Sequence, residues 1–121
     1  MATIRNYKDL LVWQRGMTLV EEVYRVAKQL PRTEIWGLTS QMRRAAVSIP
    51  SNIAEGYGRQ TAGEYTYHLC VSRGSLLELE TQLLLTERLG FLKNPITSPL
   101  LTEIDQQNRM LSSLISKVRQ S

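Results

Sequence analysis

Arg43 and Arg44 stand side by side in a helical stretch, Arg59 follows it, and Arg73 lies further along the chain. A guanidinium is a planar fork of N–H donors that matches the oxygens of a phosphate or a carboxylate. Repeated over one surface, such groups form a site for a polyanion. The competing use is structural. Acids lie close on the same or facing helices, so Arg44 and Arg73 have Glu55, Glu78 and Glu80 as ion-pair partners, inside a bundle or across a subunit boundary. Arg43 and Arg59 have fewer acids nearby and are the stronger candidates for phosphate. Arg44, Ser48, Ser51 and Glu55 follow one another at steps of four, three and four, which places them on one helix face over three turns, with Asn52 beside them. Gln41, Asn52, Glu55, Glu78 and Glu80 are candidates for polar contacts within the bundle or between subunits.

Catalytic chemistry finds little to work with. The only histidine, His68, follows Glu64 by four residues, a spacing that suits a helix-surface ion pair or a half-buried ring. No second His or Cys is present to complete a metal site, and the single cysteine, Cys70, sits between apolar neighbours as a small buried hydrophobe. Glu78 and Glu80 are two apart, so they point to different sides of a helix and do not form an acid–base pair. Gly56-Tyr57-Gly58 lacks the Lys-Ser/Thr of a phosphate loop, and no strand precedes it. Tyr57, Tyr65 and Tyr67 have faces on which bases stack, although aromatics beside helix ends more often serve as packing anchors. The reading is of a non-enzyme that needs no cofactor.

These side chains must be positioned by helices. The chain has 121 residues, 42% hydrophobic and 21% charged, enough for one domain with its own core. No apolar run reaches the roughly 18 residues that cross a bilayer. The opening MATIRNYKDL lacks the apolar stretch of a signal peptide, which points to the cytoplasm. The formal net charge of +4 belongs to residues 1–60, where nine Lys/Arg face five acids; the remainder balances. A moderately basic domain of this kind is compatible with nucleic acid and equally with a solvated surface.

Four helices account for the periodicity, at about 7–30, 34–56, 62–89 and 99–118. The first carries two adjacent apolar stripes, Trp13-Met17-Val20-Tyr24-Ala27 and Val12-Gly16-Leu19-Val23-Val26-Leu30. Together they are wider than one neighbouring helix covers. Lys8, Arg15, Arg25 and Lys28 solvate the outer face. Thr33 is the N-cap candidate for the second helix, whose apolar side is Ile35, Leu38, Met42, Ala45, Ala46, Ile49 and Ile53. Pro50 lacks an N–H and predicts a kink near Val47 to Ile49, or a break into two helices, with Ser48 and Ser51 resolvating the freed carbonyls. Gly56 or Gly58 is the stop, in a left-handed C′ conformation. Thr61 to Glu64 reads as a capping box opening the third helix, which runs to Leu89 and stops at Gly90. Ser98-Pro99 reads as N-cap and N1 of the fourth. Short links between long helices give an all-α, antiparallel up-down-up-down four-helix bundle. The wide face of the first helix and the cluster Leu76, Leu77, Leu79, Leu83, Leu84 and Leu85 leave more apolar surface than one copy hides, which points to a homo-oligomer.

The stretches LLVWQRGMTLVEEVYRVAKQLP, EIWGLTSQMRRAAVSIPSNIAEGYGR and SRGSLLELETQLLLTERLGFL resemble the four-helix-bundle family of 23S ribosomal RNA intervening-sequence proteins. The resemblance covers roughly Tyr7 to Leu92. It is most specific in the second helix, at Gln41, Arg43-Arg44-Ala45, Ser48-Ile49-Pro50, Asn52-Ile53-Ala54-Glu55-Gly56 and Arg59, with Val12-Trp13-Gln14 before it and Arg73-Gly74-Ser75, Glu78 and Glu80 after it. Gly16 departs from the family, which usually has alanine there. The resemblance implies a ring-like homopentamer. A related accessory variability protein of diversity-generating retroelements is a basic pentamer that binds nucleic acid and a reverse transcriptase. Structured RNA or DNA, and a nucleic-acid-processing protein, are thereby implied as partners, with Arg43, Arg44, Arg59 and Arg73 as the residues to test.

Overall fold

The computed structural model describes residues 3–121, and among them every regular element is helical. The four α-helices are α1 (Leu11–Ala27), α2 (Leu38–Tyr57), α3 (Ala62–Arg88) and α4 (Asn94–Arg119). Short 3-10 turns at Tyr7–Asp9 and Arg32–Glu34 precede α1 and α2. Contacts run in opposite chain directions at each junction. Pro50 lies against Gly16 and Arg43 against Tyr24 between α1 and α2; Ser48 meets Ser75 and Asn52 meets His68 between α2 and α3; Arg73 meets Ser112 and Glu87 meets Thr97 between α3 and α4. Arg15 on Glu103 closes α1 against α4, completing an antiparallel four-helix bundle.

The core is aliphatic. Leu19, Val23, Met42, Ile49, Ile53, Leu69, Leu76, Leu79, Leu83 and Leu111 are fully removed from solvent. Each such side chain contributes about 1.5–3 kcal/mol relative to exposure. On α1 the stripe Val12-Gly16-Leu19-Val23-Val26-Leu30 is buried throughout, while Met17 and Tyr24 of the other stripe remain exposed. The α3 leucines divide in the same way. Leu76, Leu79 and Leu83 enter the core; Leu77, Leu84, Leu85 and Leu89 face solvent.

Helix ends depart from the sequence reading in several places. The first helix does not start at Tyr7: Asn6 caps a 3-10 turn through a reciprocal capping box with Asp9, and α1 begins afterwards. Thr33 does not cap α2, because Arg32–Glu34 form their own turn and Gly37 precedes the helix; the Leu38 N–H instead donates to the Glu34 carboxylate at 3.1 Å. Ile35, assigned to the apolar side, is therefore outside the helix and exposed. Of the box at Thr61, the hydroxyl accepting from the Glu64 N–H is present. The fourth helix opens earlier than Ser98, at Asn94, with Pro95 in its first turn and Pro99 inside it.

Pro50 does not break α2 into two helices. Among the described residues neither Ser48 nor Ser51 donates to the Ala46 carbonyl, the one left without a donor by Pro50; a separate bond, from the Ser72 hydroxyl of α3 to the Ile49 carbonyl at 2.9 Å, ties this stretch to α3. Gly58 ends α2 in a right-handed conformation, and Gly56 is buried within the helix, so neither is a left-handed stop. That role belongs to Gly90, with φ of 79°. There the Gly90 N–H bonds the Glu87 carbonyl and the Phe91 N–H bonds the Thr86 carbonyl, a Schellman closure of α3.

Candidate nucleic-acid interface

The adjacent arginines are brought together with an aromatic pair. Arg43 projects from α2 toward α1, and its guanidinium carbon lies 4.9 Å from the centroid of the Tyr24 ring, a cation–π distance. Its Nε is buried without a hydrogen-bond partner. Seven to eight residues earlier the chain enters α2 through Ile35 and Trp36, and Trp36 is 89% exposed. Tyr24, Ile35, Trp36, Ser40, Arg43, Arg44 and Val47 line an open groove of about 580 Å³. Its only charged groups among the described residues are the two guanidiniums. Among the described residues neither has a carboxylate within 4.0 Å.

Arg44 also reaches the groove between α2 and α3, which it lines with Gln41, Ser48, Ser75 and Glu78. The ion pairs anticipated for Arg44 and Arg73 with Glu55, Glu78 or Glu80 do not form within one copy of the described chain. Glu78 is held near the Gln82 amide at 3.5 Å, and Glu80 is half-buried on another side of α3. Arg73 turns to α4 and donates to the Ser112 hydroxyl at 3.2 Å. Arg59 has the carboxylate that the sequence reading did not assign to it: Nη2 donates to Glu55 Oε1 at 2.7 Å, an i,i+4 pair with both partners exposed. The end of α2 at Tyr57 is already about 20 Å along the helix axis from Arg44, and Arg59 lies beyond it. The groove thus gathers Arg43 and Arg44 and leaves out Arg59 and Arg73.

Asn52 organises a polar ladder between α2 and α3. Its amide donates to the Ser48 carbonyl and hydroxyl at 2.9 and 3.0 Å, and its oxygen faces His68 Nδ1 at 3.1 Å. Ser75 donates to the same Ser48 hydroxyl. His68 is half-buried, with Asn52 rather than Glu64 as its partner. Tyr57 and Tyr65 pack edge to face at 6.0 Å, as anchors do. Burial, followed by proximity to Tyr57, raises the Tyr65 hydroxyl above its ordinary value.

Two features were missed from the sequence. Arg15 does not simply solvate α1: it forks onto Glu103 at 2.8 and 2.5 Å, and Gln107, wholly buried, bonds both the Arg15 carbonyl and Glu103. Burial opposes ionisation of Glu103, but the hydrogen bonds from Arg15 and Gln107 outweigh it and hold the carboxyl below its ordinary value. The side-chain bond to Glu103 correspondingly raises Arg15. The second is the exposed Trp36. Its one available signal was that a tryptophan fell off the apolar stripe of the second helix.

An antiparallel arrangement of four helices, with a cationic, aromatic-walled groove beside the second, defines the molecule as an all-helical bundle domain. Residues 8–113 match the model of the 23S rRNA-intervening sequence proteins, and the chain belongs to that family. Its structure is similar to the crystal structure of a protein of unknown function from the S23 ribosomal protein family of Bacteroides thetaiotaomicron, with a TM-score of 0.81 and 20% identity. That likeness covers 87% of this chain and 98% of the other, and establishes a shared fold. No curated protein matches the sequence. No helix of the described residues is long and apolar enough to cross a membrane.

Proposed function

We propose that this chain is a non-enzymatic accessory protein that assembles with copies of itself, as a homopentamer, and binds RNA or DNA through the arginines of α2. The observation that carries this reading is the placement of Arg43 and Arg44 side by side on one groove that no acidic side chain lines, with no carboxylate within 4.0 Å of either among the described residues. A charge left unpaired on a surface keeps its full attraction for phosphate. Assembly repeats the pair around a ring, so the field of a +4 chain is multiplied. The exposed leucines of α3 supply an apolar surface for that assembly, distinct from the arginine groove. A protein that processes nucleic acid is the further partner that fits, and the cytoplasm is the compartment where the two meet.

Titration with labelled single-stranded and duplex RNA and DNA at low salt tests the proposal, with Arg43→Glu/Arg44→Glu as the variant. The wild type is expected to bind at least one of these polymers, and charge reversal to abolish binding while the assembly persists. Absence of binding to any of them overturns it. Loss of the assembly in the variant instead assigns the arginines to a subunit boundary and favours a scaffold that binds only protein.

A further inference from the structure

We propose that the groove between α1 and α2 is a site for unpaired nucleotides, with Trp36 as the platform on which a base stacks and Arg43 and Arg44 as the phosphate contacts. This rests on the nucleic-acid reading above and names the class of nucleic acid. A phosphate-only surface needs cations and nothing more, whereas this groove adds a large, flat aromatic face that stands almost free in solvent. Trp36 is 89% exposed, at the entrance to α2, and among the described residues no side-chain hydrogen bond or ring contact holds it to the bundle. Exposing an indole to this extent leaves apolar surface in water with nothing in the described chain to cover it.

The charge on the walls selects the occupant. Arg43 and Arg44 are the only charged ones among the described residues lining the groove. The nearby acid Glu34 is turned to the Leu38 N–H. The Tyr24 ring fixes Arg43 from beneath, which leaves its donors directed by packing instead of swinging free in solvent. A volume of about 580 Å³ falls within the range of clefts that hold small organic ligands. An apolar partner surface would leave two cations unpaired on burial, which is costly. A nucleotide supplies both complements, an aromatic face for Trp36 and oxygens for the arginines. Within a duplex the bases are already stacked on one another and present only edges in the grooves, so the platform is useful only to a single strand, loop or bulge.

The test uses the full chain with a labelled oligouridylate, which has no structure of its own, and an RNA duplex of the same length. The wild type is expected to prefer the oligouridylate, with quenching of the Trp36 emission that is absent in Trp36→Phe. Trp36→Ala should weaken single-strand binding by roughly 10- to 100-fold, leave duplex binding unchanged, and retain the helical circular dichroism of the wild type. Trp36→Phe, which keeps a stacking face, should recover most of the affinity. Equal binding of both polymers with no effect of Trp36→Ala overturns the platform and leaves polyanion binding standing. Failure of the wild type to bind either polymer overturns the broader reading as well. Loss of self-association in Trp36→Ala, measured by light scattering, assigns the groove to a second copy of the chain and also overturns the proposal.

Discussion

Gly16 and Gly56 both sit where helices approach, yet the space around them differs. A Cβ on Gly16 would meet Pro50 Cβ at 3.5 Å, an ordinary contact, and a glycine inside a helix lowers stability by roughly 0.5–1 kcal/mol relative to alanine. Gly16→Ala should therefore raise the melting temperature, by about 4 °C. A Cβ on Gly56 would lie 2.7 Å from His68 Cβ and 3.2 Å from the Tyr65 carbonyl. Gly56→Ala must push α3 away and should destabilise by about 1–3 kcal/mol, read from the same melts. Gly58 is where α2 stops, but the left-handed conformation expected there, and the alternative stop at Gly56, failed because the residue type says only that a Cβ is missing. It does not say whether a backbone angle or a neighbouring helix demands that.

The junction of α1 and α4 depends on a charge that titrates. Glu103 has a depressed pKa in the folded state, so its pairing with Arg15 stabilises fully above the ordinary glutamate value of 4.5 and is lost as pH falls through the lower folded value. Chemical denaturation at a series of pH values should show Glu103→Gln less stable than wild type near neutrality, with the gap closing in acid; a pH-independent gap would remove the ion pair from the account. At the end of α3, Gly90→Ala places a Cβ at φ of 79° and should cost about 1 kcal/mol in equilibrium unfolding. The helical pattern was legible at this scale because Leu69, Leu76, Leu79 and Leu83 recur at helical spacing, and so was the stop at Gly90. The opening of α4 was not, because Asn94-Pro95 and Ser98-Pro99 both resemble helix starts. The earlier one is used: the Ile96 and Thr97 N–H groups bond the Lys93 carbonyl, and the Thr97 hydroxyl reaches the Glu87 carboxylate across the turn. The Arg15–Glu103 pair joins residues 88 apart, a separation that no local spacing reveals.

The molecule as a whole presents two unlike surfaces. Leu77 and Leu84, 49% and 44% exposed on α3, contribute nothing to the core of one copy. In the proposed assembly, Leu77→Glu/Leu84→Glu should leave a folded helical chain whose mass by light scattering falls from that of the wild type toward that of a single copy; an unchanged mass would contradict this use of the surface. On the second surface, the sequence identified the arginines as a class, and folding separated them. Arg59 took Glu55, Arg73 turned to Ser112, and the adjacent pair met Tyr24 and Trp36, which the sequence alone did not connect. The account stands on that pair binding phosphate. Its most direct test is the slope of log affinity against log salt for an oligouridylate, measured for the wild type and for Arg43→Gln/Arg44→Gln. Every phosphate that is no longer neutralised should flatten the slope by about 0.7, so the variant is expected to give a visibly shallower line and weaker binding at every salt concentration. Superimposable lines for the two proteins would contradict it.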